Sequence, residues 1–133
     1  MRVPTALWLA LGAFGCAAPR RPMAVEAISG VRTLEDLMHV QATYADPQFD
    51  KIDAGTLSDA DFSAMVDAAR HLVATSGKIP DFSRGREFDA LAGRLGERAR
   101  ALQAAAQAKD GPAARQVLAS MKQVCKTCHA RFR

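Results

Sequence analysis

Near the end of the 133-residue chain, Cys125-Lys126-Thr127-Cys128-His129 sets two thiols and an imidazole at positions i, i+3 and i+4. On a helix these three share one face, with roughly 5–6 Å between neighbouring β-carbons. Thiols at that spacing can each form a thioether to one edge of a haem, and the histidine that follows then lies beneath the iron as an axial ligand. The pattern is that of c-type haem attachment. It makes Cys125 and Cys128 the covalent anchors and His129 the proximal iron ligand, with one haem c as the expected cofactor. A covalent hold suits a cofactor carried by a small core.

Other chemistry for the same residues fits less well. A structural zinc site takes four ligands. Here no second Cys/His pair exists, and His39 and His71 lie far away in sequence. A redox-active dithiol belongs at a helix N-terminus, where the dipole lowers the thiol pKa, whereas these cysteines fall in the last turns of a helical pattern. No glycine-rich phosphate loop and no catalytic constellation accompanies the motif, so no substrate turnover is expected.

The elements that must position the motif are all helical. Thr33-Leu34-Glu35-Asp36 resembles a capping box. It opens a first pattern with Leu34, Leu37, Met38, Gln41, Ala42 and Ala45 on one face, and a break or kink is expected at Pro47. The second starts near Ser58 with the stripe Phe62, Met65, Val66, Ala69, Leu72 and Val73, and ends at Gly77 and Pro80. The third starts around Ser83 and carries Phe88, Leu91, Leu95, Leu102 and Ala105. Asp110-Gly111-Pro112 is a stop and a start in three residues, and the fourth pattern then runs through Ala114, Val117, Leu118, Met121 and Cys128 to Phe132. Four amphipathic helices with short connections predict an all-α, antiparallel four-helix bundle over residues 33–133.

Ahead of the bundle, residues 1–18 read as an export signal. Arg2 gives the positive start, and the apolar run Thr5 to Gly15 is too short to span a bilayer. Residues 19–32 read as a flexible tether. Cys16 has two readings. It is either the lipidated first residue of a mature lipoprotein, anchoring the domain to a membrane surface, or a residue discarded with the signal. The three cysteines are too unevenly placed for a disulfide framework. Charge is also uneven. Nine acidic residues stand against Arg32 and Lys51 between Glu26 and Asp67, while from Arg84 to Arg133 basic residues lead eleven to four. No nucleic-acid motif accompanies that excess, and no nucleic-acid partner is expected. Lys122, Lys126, Arg131 and Arg133 surround the haem motif, and an acidic redox protein is the partner they would steer.

The C-terminal Cys125-Lys-Thr-Cys128-His129-Ala-Arg-Phe132-Arg133 resembles the end of class II c-type cytochromes, the cytochrome c-prime family. The resemblance implies a periplasmic four-helix haem protein with the motif on its last helix and His129 proximal. It also implies that the first helix supplies the distal side, by a methionine in low-spin members and by an apolar residue in high-spin ones. Met38 lies at the centre of the first helix's apolar face and is the expected distal ligand, with core filling as its other role. His39 points about 100° away around the helix and is expected at the surface. His71, opposite its helix's apolar stripe, is expected to be solvated, and Met65 and Met121 to be packing. Arg133 is a candidate contact for a haem propionate. An electron carrier follows, with a five-coordinate binder of nitric oxide or carbon monoxide as the alternative, and a homodimer through the first two helices as a further arrangement.

Overall fold

The computed structural model describes residues 22–133, so the expected export signal and Cys16 lie outside the described residues. Four α-helices follow one another: α1 (Leu34–Phe49), α2 (Asp59–Lys78), α3 (Arg86–Gln107) and α4 (Gly111–Phe132). Short 3-10 segments precede α1, at Val25–Gly30, and α3, at Ile79–Phe82. The helices form the all-α four-helix bundle that the apolar stripes require. α2 packs along α3, α3 along α4 and α1 along α2, while α1 meets α4 along a much shorter seam.

α1, α2 and α4 each start where a capping side chain can satisfy an orphaned backbone N–H group, whereas α3 starts after Gly85 without one. The Thr33 hydroxyl oxygen accepts from the Asp36 N–H at 3.1 Å. Ser58 and Asp61 form a reciprocal capping box, with Asp61 N–H donating to Ser58 Oγ and Ser58 N–H to Asp61 Oδ2. Asp110 Oδ1 accepts from the Ala113 N–H at 3.0 Å, and Pro112 occupies the first turn of α4, where a missing donor costs nothing. The α3–α4 connection is a Schellman turn. Asp110 N–H bonds Ala105 O and Lys109 N–H bonds Ala106 O, with Lys109 at φ +55° where glycine is usual.

Three expectations are corrected. α1 does not break at Pro47 but runs on to Phe49. Pro47 falls in the last turn, where losing one N–H interrupts little of the ladder. α3 starts at Arg86 rather than near Ser83, because Gly85 at φ +108° separates it from the Ile79–Phe82 turn. The described part of the expected tether is docked: Ile28 and Val31 are buried against α1 and α2, packed with Leu37, Val40 and Ile79.

His71 is the fourth correction, since it is buried, with 4 % of its surface exposed. Its Nδ1 lies 2.8 Å from the Asp67 carbonyl and its Nε2 2.8 Å from the Met23 carbonyl. The ring stacks on Tyr44 at 3.5 Å between centroids, and the Tyr44 hydroxyl donates to the same Met23 carbonyl at 2.8 Å. The N-terminal segment covers what would otherwise be the outer face of α2, which helical periodicity within α2 cannot reveal. Burial, and then the Asp67 charge, push the Tyr44 phenol up, which keeps it a donor.

The main core lies between α2, α3 and α4, around Met65, Leu72, Leu102, Leu118 and Met121. The α2–α3 crossing is close at Gly96, where a β-carbon would stand 2.7 Å from Ser76 Oγ. Leu118 and Met121 are fully buried, so truncating either to alanine belongs with the large core deletions.

Two predictions follow from this architecture. His71→Ala removes both the stacking surface and the clasp on Met23, and should cost about 1–3 kcal/mol. Limited proteolysis should then cut between Met23 and Val31 well before α3 or α4, whereas an unchanged cleavage pattern would refute the clasp. Asp61 gives the second. A hydrogen bond from Lys51, followed by those from the Ser58 backbone and hydroxyl, lowers its carboxyl from 3.8 to about 2. The folded value lies below the unfolded one, so the stabilisation is complete above the unfolded value and disappears as pH falls through the folded one. Wild type should therefore lose its advantage over Asp61→Asn between about pH 4 and pH 2 in denaturant titrations. A gap that stays constant across that window would refute the assignment.

Candidate functional site

The last two turns of α4 carry the motif, and their apolar face continues that of Leu118 and Met121 towards α1 and the start of α3. Between α1 and α4, where the seam is short, the bundle leaves a half-open cavity of about 760 Å³. That is within the range of small-molecule and cofactor sites. α4 supplies one wall through Val124, Cys125, Cys128, His129 and Phe132, and α1 supplies another through Leu34, Met38, Gln41, Ala42 and Phe49. Leu72, Ile79, Phe88, Leu91 and Leu95 close the floor. Charged groups stand only at the rim: Glu35 and Asp46 from α1, beside the exposed His39, with Arg84 and Arg133 across from them.

The two thiols are unpaired and half-buried. Burial pushes the Cys125 thiol up to about 11, aided by the charges of Cys128 and Asp46. Burial also raises Cys128, against the opposing pull of Arg84. This is the reverse of an activated dithiol, which needs a low pKa. A neutral thioether, by contrast, has no charge to desolvate. Among the described residues, no three His, Cys, Asp or Glu side chains are grouped to hold a metal ion by themselves.

The end of α4 is pinned to the start of α3. Phe132 meets Phe88 edge-on, with ring centroids 5.2 Å apart and planes at 82°. Arg131 pairs with Glu87. Arg84 donates to the Phe132 carbonyl, satisfying an orphaned helix-end acceptor, and its guanidinium stands 5.9 Å from the Phe88 ring centroid. Acidic residues in the first turn of α3 and basic ones in the last turn of α4 also complement the two helix dipoles.

The chain from residue 75 to residue 133 matches the family model described as cytochrome C'. Over that stretch the chain is similar to the class II c-type cytochromes. The matched stretch covers the end of α2 and all of α3 and α4, so it contains the motif wall and, apart from Leu72, the floor of the cavity, but not α1. No curated protein and no solved structure matches the chain. The family binds one covalent haem c, and the residues present fit it. The cavity has the size and the apolar lining, its wall presents two uncharged thiols and an imidazole, and the charges are confined to the rim where propionates would emerge.

Five of the sequence-derived site residues meet at this one cavity: Cys125, Cys128, His129, Met38 and Arg133. His39 is exposed at the rim, and His71 is on the far side of α2 from it, held by the N-terminal segment. Two contributors were not singled out by sequence reading. Arg84 sits in the irregular Ser83-Arg84-Gly85 stretch, where no periodicity marks it. Gln41 reads simply as one more position on the α1 face. Phe88 was legible only as a core residue, yet it supports both the floor and the end of α4. Phe88→Ala should cost about 3–5 kcal/mol. Hydrogen exchange should accelerate in the last turn of α4 more than in its first, and uniform acceleration along α4 would refute the pinning.

Proposed function

We propose that the protein is a periplasmic electron carrier whose haem is held by thioethers from Cys125 and Cys128, with His129 and Met38 as the two axial iron ligands. The observation that carries this reading is the position of Met38. It is half-buried on the α1 wall of the cavity whose α4 wall bears His129. Its neighbours on that wall, Leu34 and Ala42, offer no ligating atom, and His39 is turned to the exposed rim. When bound, the haem supplies reversible one-electron chemistry, and a thioether ligand favours the ferrous state more than a second histidine would. The chain's own contribution is to exclude water with Leu34, Phe88, Leu91 and Leu95, to fix the anchors on a helix pinned at both ends, and to keep charge at the rim. Arg84 and Arg133 stand where they can pair with propionates.

The same rim supports an acidic redox partner. Arg131 is engaged by Glu87, and Lys122 stands 5.7 Å from the Phe49 ring centroid, so Lys126 is the cation of the four left to steer it, joined by Arg133 where that side chain is not paired with a propionate. Among the described residues no helix is long and apolar enough to cross a membrane. Membrane attachment, in this reading, is through a lipid on Cys16. The second reading, a five-coordinate gas binder, is favoured by the short α1–α4 seam, which leaves a route to the α1 wall.

Absorption spectra separate the two. The reduced wild type should be low-spin and unaffected by carbon monoxide, and Met38→Ala should become high-spin and carbon monoxide-reactive. A wild-type spectrum that is already high-spin, or a Met38→Ala spectrum identical to wild type, would remove Met38 as a ligand and leave the gas-binding reading.

A further inference from the structure

Gln41 is the one buried, uncharged polar side chain on the cavity wall besides the motif cysteines. It is 9 % exposed and stands one turn along α1 from Met38. Its Nε2 donates to Thr75 Oγ1 at 3.1 Å, and the Thr75 hydroxyl donates in turn to the Leu72 carbonyl at 3.3 Å. Thr75 is completely buried, so this relay holds the amide in one orientation. A primary amide has two N–H donors and an oxygen with two acceptor sites, and the Thr75 bond uses a single N–H. The remaining polar capacity of Gln41 belongs to a group that faces an apolar cavity.

We propose that Gln41 is the hydrogen-bonding residue of the distal pocket, donating its free N–H to the outer, partly negative atom of a small ligand on the α1 side of the iron. The ligand class is a diatomic such as carbon monoxide or nitric oxide. Thr75 is the positioning residue that aims the amide. The proposal rests on the reading that α1 forms the distal side, and it adds a polar discriminator to a pocket otherwise able to sort ligands by size alone. In the six-coordinate protein Met38 holds that position, and Gln41 acts when the thioether is displaced or removed.

The test is the C–O stretching frequency of the ferrous haem protein under carbon monoxide, in Met38→Ala and in Met38→Ala/Gln41→Leu. A donated hydrogen bond draws electron density onto the ligand and weakens the C–O bond. The stretch should therefore move to higher wavenumber when Gln41 is lost, and carbon monoxide should dissociate about fivefold faster, the effect of about 1 kcal/mol. Thr75→Val in the same Met38→Ala background keeps the amide but frees it, and should split or broaden the band. An identical single band in all three overturns the role of Gln41 while leaving α1 as the distal side. If Met38→Ala takes up no carbon monoxide at all, both the distal assignment and this proposal fall. If wild type itself binds the gas, Met38 ligation falls, and the same comparison between wild type and Gln41→Leu decides the role of Gln41.

Discussion

The site depends on one constraint of register. α3 and α4 each have 22 residues and are joined by a turn too tight to allow slippage. Equal lengths folded back on each other bring the first turn of α3 against the last turn of α4. Phe88 therefore meets Phe132, Glu87 meets Arg131, and Arg84 reaches the final carbonyls. Inserting one residue into that turn would rotate or shift every one of these pairs. The Schellman hydrogen bonds hold it so firmly that even Lys109 accepts a left-handed conformation.

From that hairpin the remainder follows by layers. α2 docks on α3 closely enough to require Gly96 beneath Ser76, and it completes the core with Met65 and Leu72. α1 docks on α2, held by Leu37, Val40 and the Gln41–Thr75 bond, with Ile28 and Val31 packed on its outside. Nothing comparable joins α1 to α4. The bundle therefore closes on three sides and remains open on the fourth, where the family's cofactor fits. A cavity of this size lined by Leu, Ala and Phe side chains forfeits packing contacts in the bare polypeptide. The haem would restore those contacts, and its covalent hold removes the need for the rest of the fold to bind it tightly.

Much of this was legible in the sequence. The attachment motif needs only local spacing, and the four helices announce themselves by stripes such as Phe62-Met65-Ala69-Leu72 and by capping residues such as Ser58 and Asp110. The missed features share a cause: they depend on contacts between segments distant in sequence. His71 looked solvated because α2 alone gives no hint that Met23 and Tyr44 cover its outer face. Arg84 lies in a loop whose place beside Phe132 is set by the α3–α4 register. Gln41 appeared as a neutral step on an apolar face, since its partner Thr75 is 34 positions away. Pro47 misled in the opposite direction, because a strong local rule carries little weight in the last turn of a helix.

The two walls of the cavity come from opposite ends of the chain and scarcely touch each other. Attachment is written in α4, within the stretch shared with the family, and the opposing surface is written in α1, outside it. Substitutions on α1 can accordingly alter what approaches the cavity from that side while leaving the Cys125–His129 motif of α4 untouched. Such separable inheritance makes this architecture a ready substrate for divergence: one lineage can keep the same tail and become a conduit for charge or a trap for gases by editing a single turn near its beginning.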